Sequence, residues 1–340
     1  MPRGSRTRFW TAFASLVAVI ACMFYLSLTN GTFELSVQEV FRTLLRIDAI
    51  REHDLVVFDF RLPRIVLGIL VGFALGVAGT VIQGVTRNGL ADPGILGINA
   101  GAGMAVVLFM FLFKGSMEAP EWLGVFTMPM FGAAGGLAAT TMIYLFARER
   151  GGLDPQRLIL VGIAIASGFG AVTTYLSLKM NPRDFEAATV WLAGSIHGAN
   201  WKFVVMMLPW LLALVPYLWA KARLLDLFQL QESQTRGLGV KVERERNGLL
   251  LGSIGLVSAS VAVSGSIAFV GLIAPHMARR LVGQRHGYSL PISGLTGAAM
   301  VATGDFIGKT LFAPAELAVG IVISIIGVPY FVFLLFKATK

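Results

Sequence analysis

The sequence predicts an all-α membrane protein of ten transmembrane helices with an internal inverted repeat. Three observations carry that expectation. Apolar runs long enough to cross a bilayer recur along the whole chain. The composition is 56% hydrophobic and 14% charged, with a mean hydropathy of +0.74, whereas soluble domains carry about a quarter charged residues. The remaining charges divide unevenly between alternate loops.

The apolar runs fall at 9–28, 65–86, 97–113, 123–147, 158–178, 203–220, 248–266, 290–308 and 317–336, with a shorter one at 267–278. At ~1.5 Å per residue each long run spans the ~30 Å hydrocarbon core or nearly so. The first run follows MPRGSRTR and imitates a signal peptide, but no small-residue cleavage site is obvious, so it reads as a retained helix. The single cysteine, Cys22, lies within it and reads as a small packing residue. With the N-terminus inside, the inner loops carry a net charge of +11 and the outer segments −2, which together make the +9 of the chain. That is the positive-inside pattern, and it explains the basic composition without nucleic acid. Ten spans place both termini on the inner side.

The stretch from Arg61 to Gly103 is the most informative. RLPR at 61–64 opens a charge-free run in which Gly68, Gly72 and Gly76 recur every fourth residue. They share one helix face and admit another helix at close range. The run ends in the turn RNGLADPG at 87–94, where Gln83, Asn88, Asp92 and Pro93 read as residues that satisfy a broken helix end at membrane depth. GTVIQGVTRNGLADPG at 79–94 is echoed by GSIAFVGLIAPHMARR at 265–280, and the helices preceding them run in opposite directions. Corresponding interrupted segments in two halves are the mark of an inverted repeat. In the second segment Pro275 and His276 read as a hydrogen-bonded hinge. Four dispersed histidines without HxxxH spacing predict no metal site.

Outside, residues 36–47 form a plausible amphipathic helix, and 179–201 and 304–316 are more than short turns. Inside, the one large loop is 221–247, read as two short helices on the inner surface with Leu224, Leu225, Phe228 and Leu230 facing the membrane. GDFIGKT at 304–310 imitates a phosphate loop but is one residue short and lies on the outer side. No Ser/His/Asp set, cysteine cluster or intramembrane carboxylate pair points to an enzyme or a bound cofactor. The whole chain, 1–340, reads as one transmembrane domain.

RLPR at 61–64, GxxxQGxxxNxLADPxxLGxxxGA at 79–102, WLAGSI at 191–196, GxIxFVGLIxPHxxR at 265–279 and the ending IGVPYFVFLL resemble the FecCD-type permeases. These are the membrane subunits of ATP-binding-cassette importers for iron–siderophores, haem and cobalamin. The resemblance implies a cobalamin-permease-like fold in the bacterial cytoplasmic membrane, in contact with lipid. It also implies a second permease subunit, identical or paralogous, two cytoplasmic ATPase subunits, and an extracytoplasmic binding protein. Spans 158–178 and 317–336 would line the pathway. Arg61 and Arg64, whose place before a span equally fits interfacial anchoring by snorkelling side chains, would receive carboxylates from the binding protein, for which the guanidinium fork is suited. Lys309 stands where the cobalamin-type permease has a third arginine. Gln231, Glu232, Ser233, Arg236, Gly237 and Gly239 would seat in the ATPase and couple it to the permease. An iron–siderophore is the favoured cargo, with cobalamin or haem as alternatives. The rival is an ion-coupled secondary transporter, which usually carries intramembrane acids or histidines; only Asp305 and His276 come close.

Overall fold

The computed structural model describes residues 3–31, 33, 35–47, 50–92, 94, 97–113, 121–149, 152–153 and 155–338. In chain order the elements are α1 (Arg3–Thr29), α2 (Val37–Leu44), α3 (Arg51–Asp54), α4 (Leu62–Thr86), α5 (Ile98–Leu112) and α6 (Glu121–Ala147). The two-residue strands β1 (Arg148–Glu149) and β2 (Gly152–Leu153) pair antiparallel. Then follow α7 (Pro155–Leu178), α8 (Pro182–Leu192), α9 (Trp201–Ala220), α10 (Ala222–Leu227), α11 (Glu232–Gly237), α12 (Val242–Ser264), α13 (Val270–Val282), α14 (His286–Thr310) and α15 (Val319–Ala338).

The protein is thus helical, with β1–β2 as its only strand pair among the described residues. Seven helical stretches are long and apolar enough to cross a membrane, and Ile98–Leu112 and Val319–Leu334 are shorter apolar helices. The seven differ in burial. The stretches containing α4, α12 and α14 are mostly buried, while α1, α7 and α9 are largely exposed within this single chain. A bundle forms around α4, which packs most extensively on α14 and also on α12, α13 and α9. Helix α1 lies against α14, where Phe9 meets Tyr288 at 5.2 Å between ring centroids. Cys22 is exposed, so it does not fill the packing role expected of it.

Glycine sets the geometry of the centre. A Cβ on Gly72 would lie 2.3 Å from the carbonyl oxygen of Gly297, and one on Gly297 would lie 2.1 Å from that of Gly72. At the next turn a Cβ on Gly76 would meet the Ser293 carbonyl at 2.2 Å. Ser293 Oγ donates to the Gly76 carbonyl at 2.8 Å across this contact. The four-residue spacing therefore does bring two backbones together, with a hydroxyl bond cementing the approach. Gly79 repeats the device against α13, where a Cβ would lie 2.0 Å from the Gly271 carbonyl.

Two elements depart from the expectation. The span predicted to open at Ile65 is preceded by helix from Arg51, running through α3 and a π-helical turn at Leu55–Arg61 into α4. Pro63, in the first turn of α4, has no N–H to give and crowds the carbonyl four residues back. The chain widens to suit, and the Leu62 N–H reaches the Val57 carbonyl, a five-residue step. The second departure is in the 221–247 loop. Its two short helices are present, but Leu225 and Phe228 are buried in the main core instead of facing the membrane.

Gly72→Ala should therefore destabilise the bundle by about 1–3 kcal/mol, because no side-chain rotation can relieve a clash between backbones. Gly168→Ala on α7 is the matched control, since a Cβ there meets nothing within 4 Å. Thermal unfolding in detergent should show a lowered midpoint for the first variant and an unchanged or raised one for the second.

Candidate functional site

One end of the α4–α14 pair carries a cluster of charged side chains. Arg61 and Arg64, three residues apart, project from the start of α4, and Asp305 and Lys309, four apart, from the end of α14. The pair is antiparallel, so these ends meet. They border a cavity of about 490 Å³ that is also lined by His197, Glu316, Phe33 and Phe60.

The cations of this cluster are differently engaged. Arg61 is buried and donates to the carbonyls of Leu28 and Phe33, closing the end of α1 and the following segment over itself. Lys309 donates to the Ser27 carbonyl at 2.8 Å. Arg64 forks onto Asp305, with Nε at 3.0 and 3.1 Å from the two oxygens and Nη2 at 2.8 Å. Its Nη1 donates to Glu316 Oε2 at 2.7 Å, and His197 Nδ1 lies 2.8 Å from the same oxygen. Burial alone would push the Glu316 carboxyl up; Arg64 and His197 overcome it and hold the group below its ordinary value. The structure thus brings Arg61, Arg64 and Lys309 together. It adds Asp305, His197 and Glu316, which sequence reasoning did not place there. The signal was weak: the balancing carboxylates lie 241 and 252 residues from Arg64.

The opposite end of the same pair carries the 221–247 segment. Asp226 of α10 accepts from the backbone N–H of His286 at 2.9 Å and lies 2.7 Å from its Nδ1, capping the start of α14. Arg87 Nε donates to the Phe228 carbonyl, and Gln229 Nε2 to that of Gly84 at 3.4 Å. Arg87 itself ends α4 in the left-handed conformation, at φ 53°. Beyond this anchor, α11 stands out from the body. Gln231 and Gln234 form its capping box, and Thr235 is buried, bonded to the Leu227 carbonyl. Glu232 accepts from Arg246 at 3.0 Å and from Arg236 at 2.6 Å. The bond from Arg246 is the main cause that holds this carboxyl below its ordinary value. Ser233, Arg236, Gly237, Leu238 and Gly239 are exposed, with Gly239 at φ +81°.

The turn residues resolve into a specific arrangement. Asn88 Oδ1 accepts from the Leu90 N–H, and Asp92 Oδ2 from the Gly94 N–H, so both side chains stitch their own turn. Burial pushes the Asp92 carboxyl up to about 6 against that bond. Pro93 lies outside the described residues. Pro275 and His276 lie inside α13 instead of at a turn; the chain bends before it, with Gly265 at φ +67° and Phe269 at φ +66°. His276 meets the Tyr330 ring edge-on at 5.9 Å. Pro275 leaves the carbonyl of Gly271 without its helical donor, and Gln83 Nε2 approaches that carbonyl at 3.4 Å and Leu272's at 3.3 Å. Arg279 in turn donates to Gln83 Oε1 at 2.6 Å. Among the described residues no group of three or more His, Cys, Asp or Glu is placed to hold a metal ion.

The FecCD transport family matches the chain over residues 18–337. The iron-uptake system permease protein FeuC of Bacillus subtilis is 50% identical over 96% of this chain and 98% of its own length. The iron(3+)-hydroxamate import system permease protein FhuG of the same organism is 44% identical over 94% and 95%. A solved metal-chelate type ABC transporter in an inward-facing conformation is 29% identical, with a TM-score of 0.83 over 96% of this chain and 99% of that one.

Because Asp226 holds α10 to α14 from a capping position, Asp226→Ala should cost about 1–2 kcal/mol locally. Amide exchange measured by mass spectrometry should quicken across 222–230 and 286–289, with 293–304 unchanged.

Proposed function

The chain belongs to the FecCD transport family, and from that premise we propose that it is the permease subunit of an ATP-driven importer of iron–siderophore, working in the bacterial cytoplasmic membrane. The observation that carries this reading is the match of almost the entire chain to iron-uptake permeases at up to 50% identity. The chain supplies no ATPase of its own in this reading. Two copies, or this chain and a paralogue, pair with two cytoplasmic ATPase subunits and receive the chelate from an external binding protein.

The ten-span count follows if α5, α13 and α15 cross alongside the seven longer helices. The proposed inverted repeat is supported by the meeting of its two echoing segments, where Gln83 bonds to α13 and Gly79 touches Gly271. Both termini then lie inside, with the Arg64 cluster outside and the 221–247 segment inside. The exposed apolar faces of α7 (Leu160, Ile163, Tyr175) and α15 (Ile325, Ile326, Phe333) support a second subunit across a shared pathway. They also suit a bulky chelate that passes without tight binding.

In this mechanism α11, with Gln231, Glu232, Ser233, Arg236, Gly237 and Gly239, seats in the ATPase. Closure of the ATPase dimer moves α10 and α11, and the Asp226–His286 and Arg87–Phe228 links carry the displacement into α14 and α4. On the outer side the cavity bordered by Arg64 and Lys309, with Arg61 beneath, docks the binding protein through carboxylates. Gln83 joins α4 to α13 so that the turn at 87–94 and the helix at 270–282 move together.

Reconstituted in liposomes with its ATPase, internal ATP and binding protein, the chain should accumulate a ferric siderophore; omission of the ATPase should abolish uptake. Accumulation driven by a proton or sodium gradient alone would overturn the reading. Replacing 231–239 by a Gly/Ser linker of equal length should leave the permease inserted and eliminate co-purification of the ATPase.

A further inference from the structure

Arg64 has more carboxylate around it than a fork needs. Asp305 already takes Nε and Nη2 in the bidentate geometry that satisfies a guanidinium edge, and its side chain is 6% exposed. The remaining nitrogen, Nη1, points to the cavity, and Glu316 reaches it from the 311–318 segment between α14 and α15. That segment is solvent-facing: Leu311 is 73% exposed, and the Glu316 side chain is 27% exposed. The segment is tied back by the Leu317 N–H on the Gly308 carbonyl. The Glu316 carboxylate is held by Arg64 and the exposed His197. The cluster therefore holds one deep, permanent carboxylate and one shallow, replaceable one, on a cavity that also offers Lys309.

We propose that Glu316 is a stand-in for the docking partner: it occupies Arg64 Nη1 while the outer face is empty, and an acidic side chain of the binding protein displaces it on docking. This rests on the docking role proposed above and adds a competitor and a consequence to it. The exchange is one carboxylate for another: Arg61, Arg64 and Lys309 against Asp305 and one further acid keep the same net charge of one positive before and after, and Asp305 stays in place. The displaced Glu316 then frees the 311–318 segment at the end next to α15. That helix begins just beyond, where the Gly320 N–H donates to the Gly194 carbonyl at 2.9 Å. Displacement thus reaches α15, one of the two helices assigned to the pathway. His197, at 2.8 Å from the Glu316 oxygen, is a positioning residue that keeps the stand-in seated.

The test is the affinity of the purified, substrate-free binding protein of the same importer for the complete permease–ATPase complex in nanodiscs. Glu316→Gln keeps the shape and removes the competing charge, and should tighten docking by about threefold, the upper part of the range for ion pairs still open to solvent. Glu316→Ala should tighten it likewise, and neither change threatens folding because Glu316 lies on an exposed segment. Arg64→Ala is measured beside them and should weaken docking. If Arg64→Ala weakens docking while both Glu316 variants leave it unchanged or weaken it, Glu316 is no stand-in, although the docking site stands. If all three leave affinity unchanged, the cluster is not the docking site, and the exchange falls with it.

Discussion

The contact of Gly72 with Gly297, and of Gly76 with Ser293, is the constraint on which the rest of the structure depends. Two backbones approach so closely there that no Cβ fits on either glycine. Lipid offers no hydrophobic gain for helix association, so close packing and interhelical hydrogen bonds hold such pairs together. Here both operate, because Ser293 donates to the Gly76 carbonyl within the contact. A helix pair welded in this way has little freedom to slide.

Because α4 and α14 are antiparallel, the weld brings the start of one helix to the end of the other at both extremes. At one extreme this places Arg64 on Asp305; at the other it places the Arg87 end of α4 near the capped start of α14, where α10 is fastened. The two candidate functional regions are therefore mounted on one rigid unit. Helix α7 packs on α5 and α6, α15 rests one side on α14, and both keep an exposed apolar face. Such a division suits alternating access, in which a stiff unit transmits displacement and less constrained helices gate the path.

Much of this was legible in the sequence. The apolar runs located the long helices, and the spacing of Gly68, Gly72 and Gly76 announced a close helix contact. The turn at 87–94 was readable too, since Asn88 and Asp92 satisfy their own backbone. The start of α8 was missed within 179–201, although its signal is local: Asn181 accepts from the Asp184 N–H and Pro182 takes the first helical position. What the sequence hid was long-range. Nothing local says that Gly72 meets Gly297, that Gln83 serves the carbonyl stripped of its donor by Pro275, or that Arg64 is already paired with Asp305 and Glu316. Arginine before a span looks like a free fork until the acids brought by the fold are seen.

Joined in this way, α4 and α14 should move as one body while the permease works. The direct measurement is the distance between spin labels on Thr86→Cys and Gly287→Cys, at the Arg87 end of the pair, in a Cys22→Ser background within the assembled importer. The same distance distribution is expected in the ATP-free and ATP-bound states. A nucleotide-dependent shift or splitting of that distribution would contradict it.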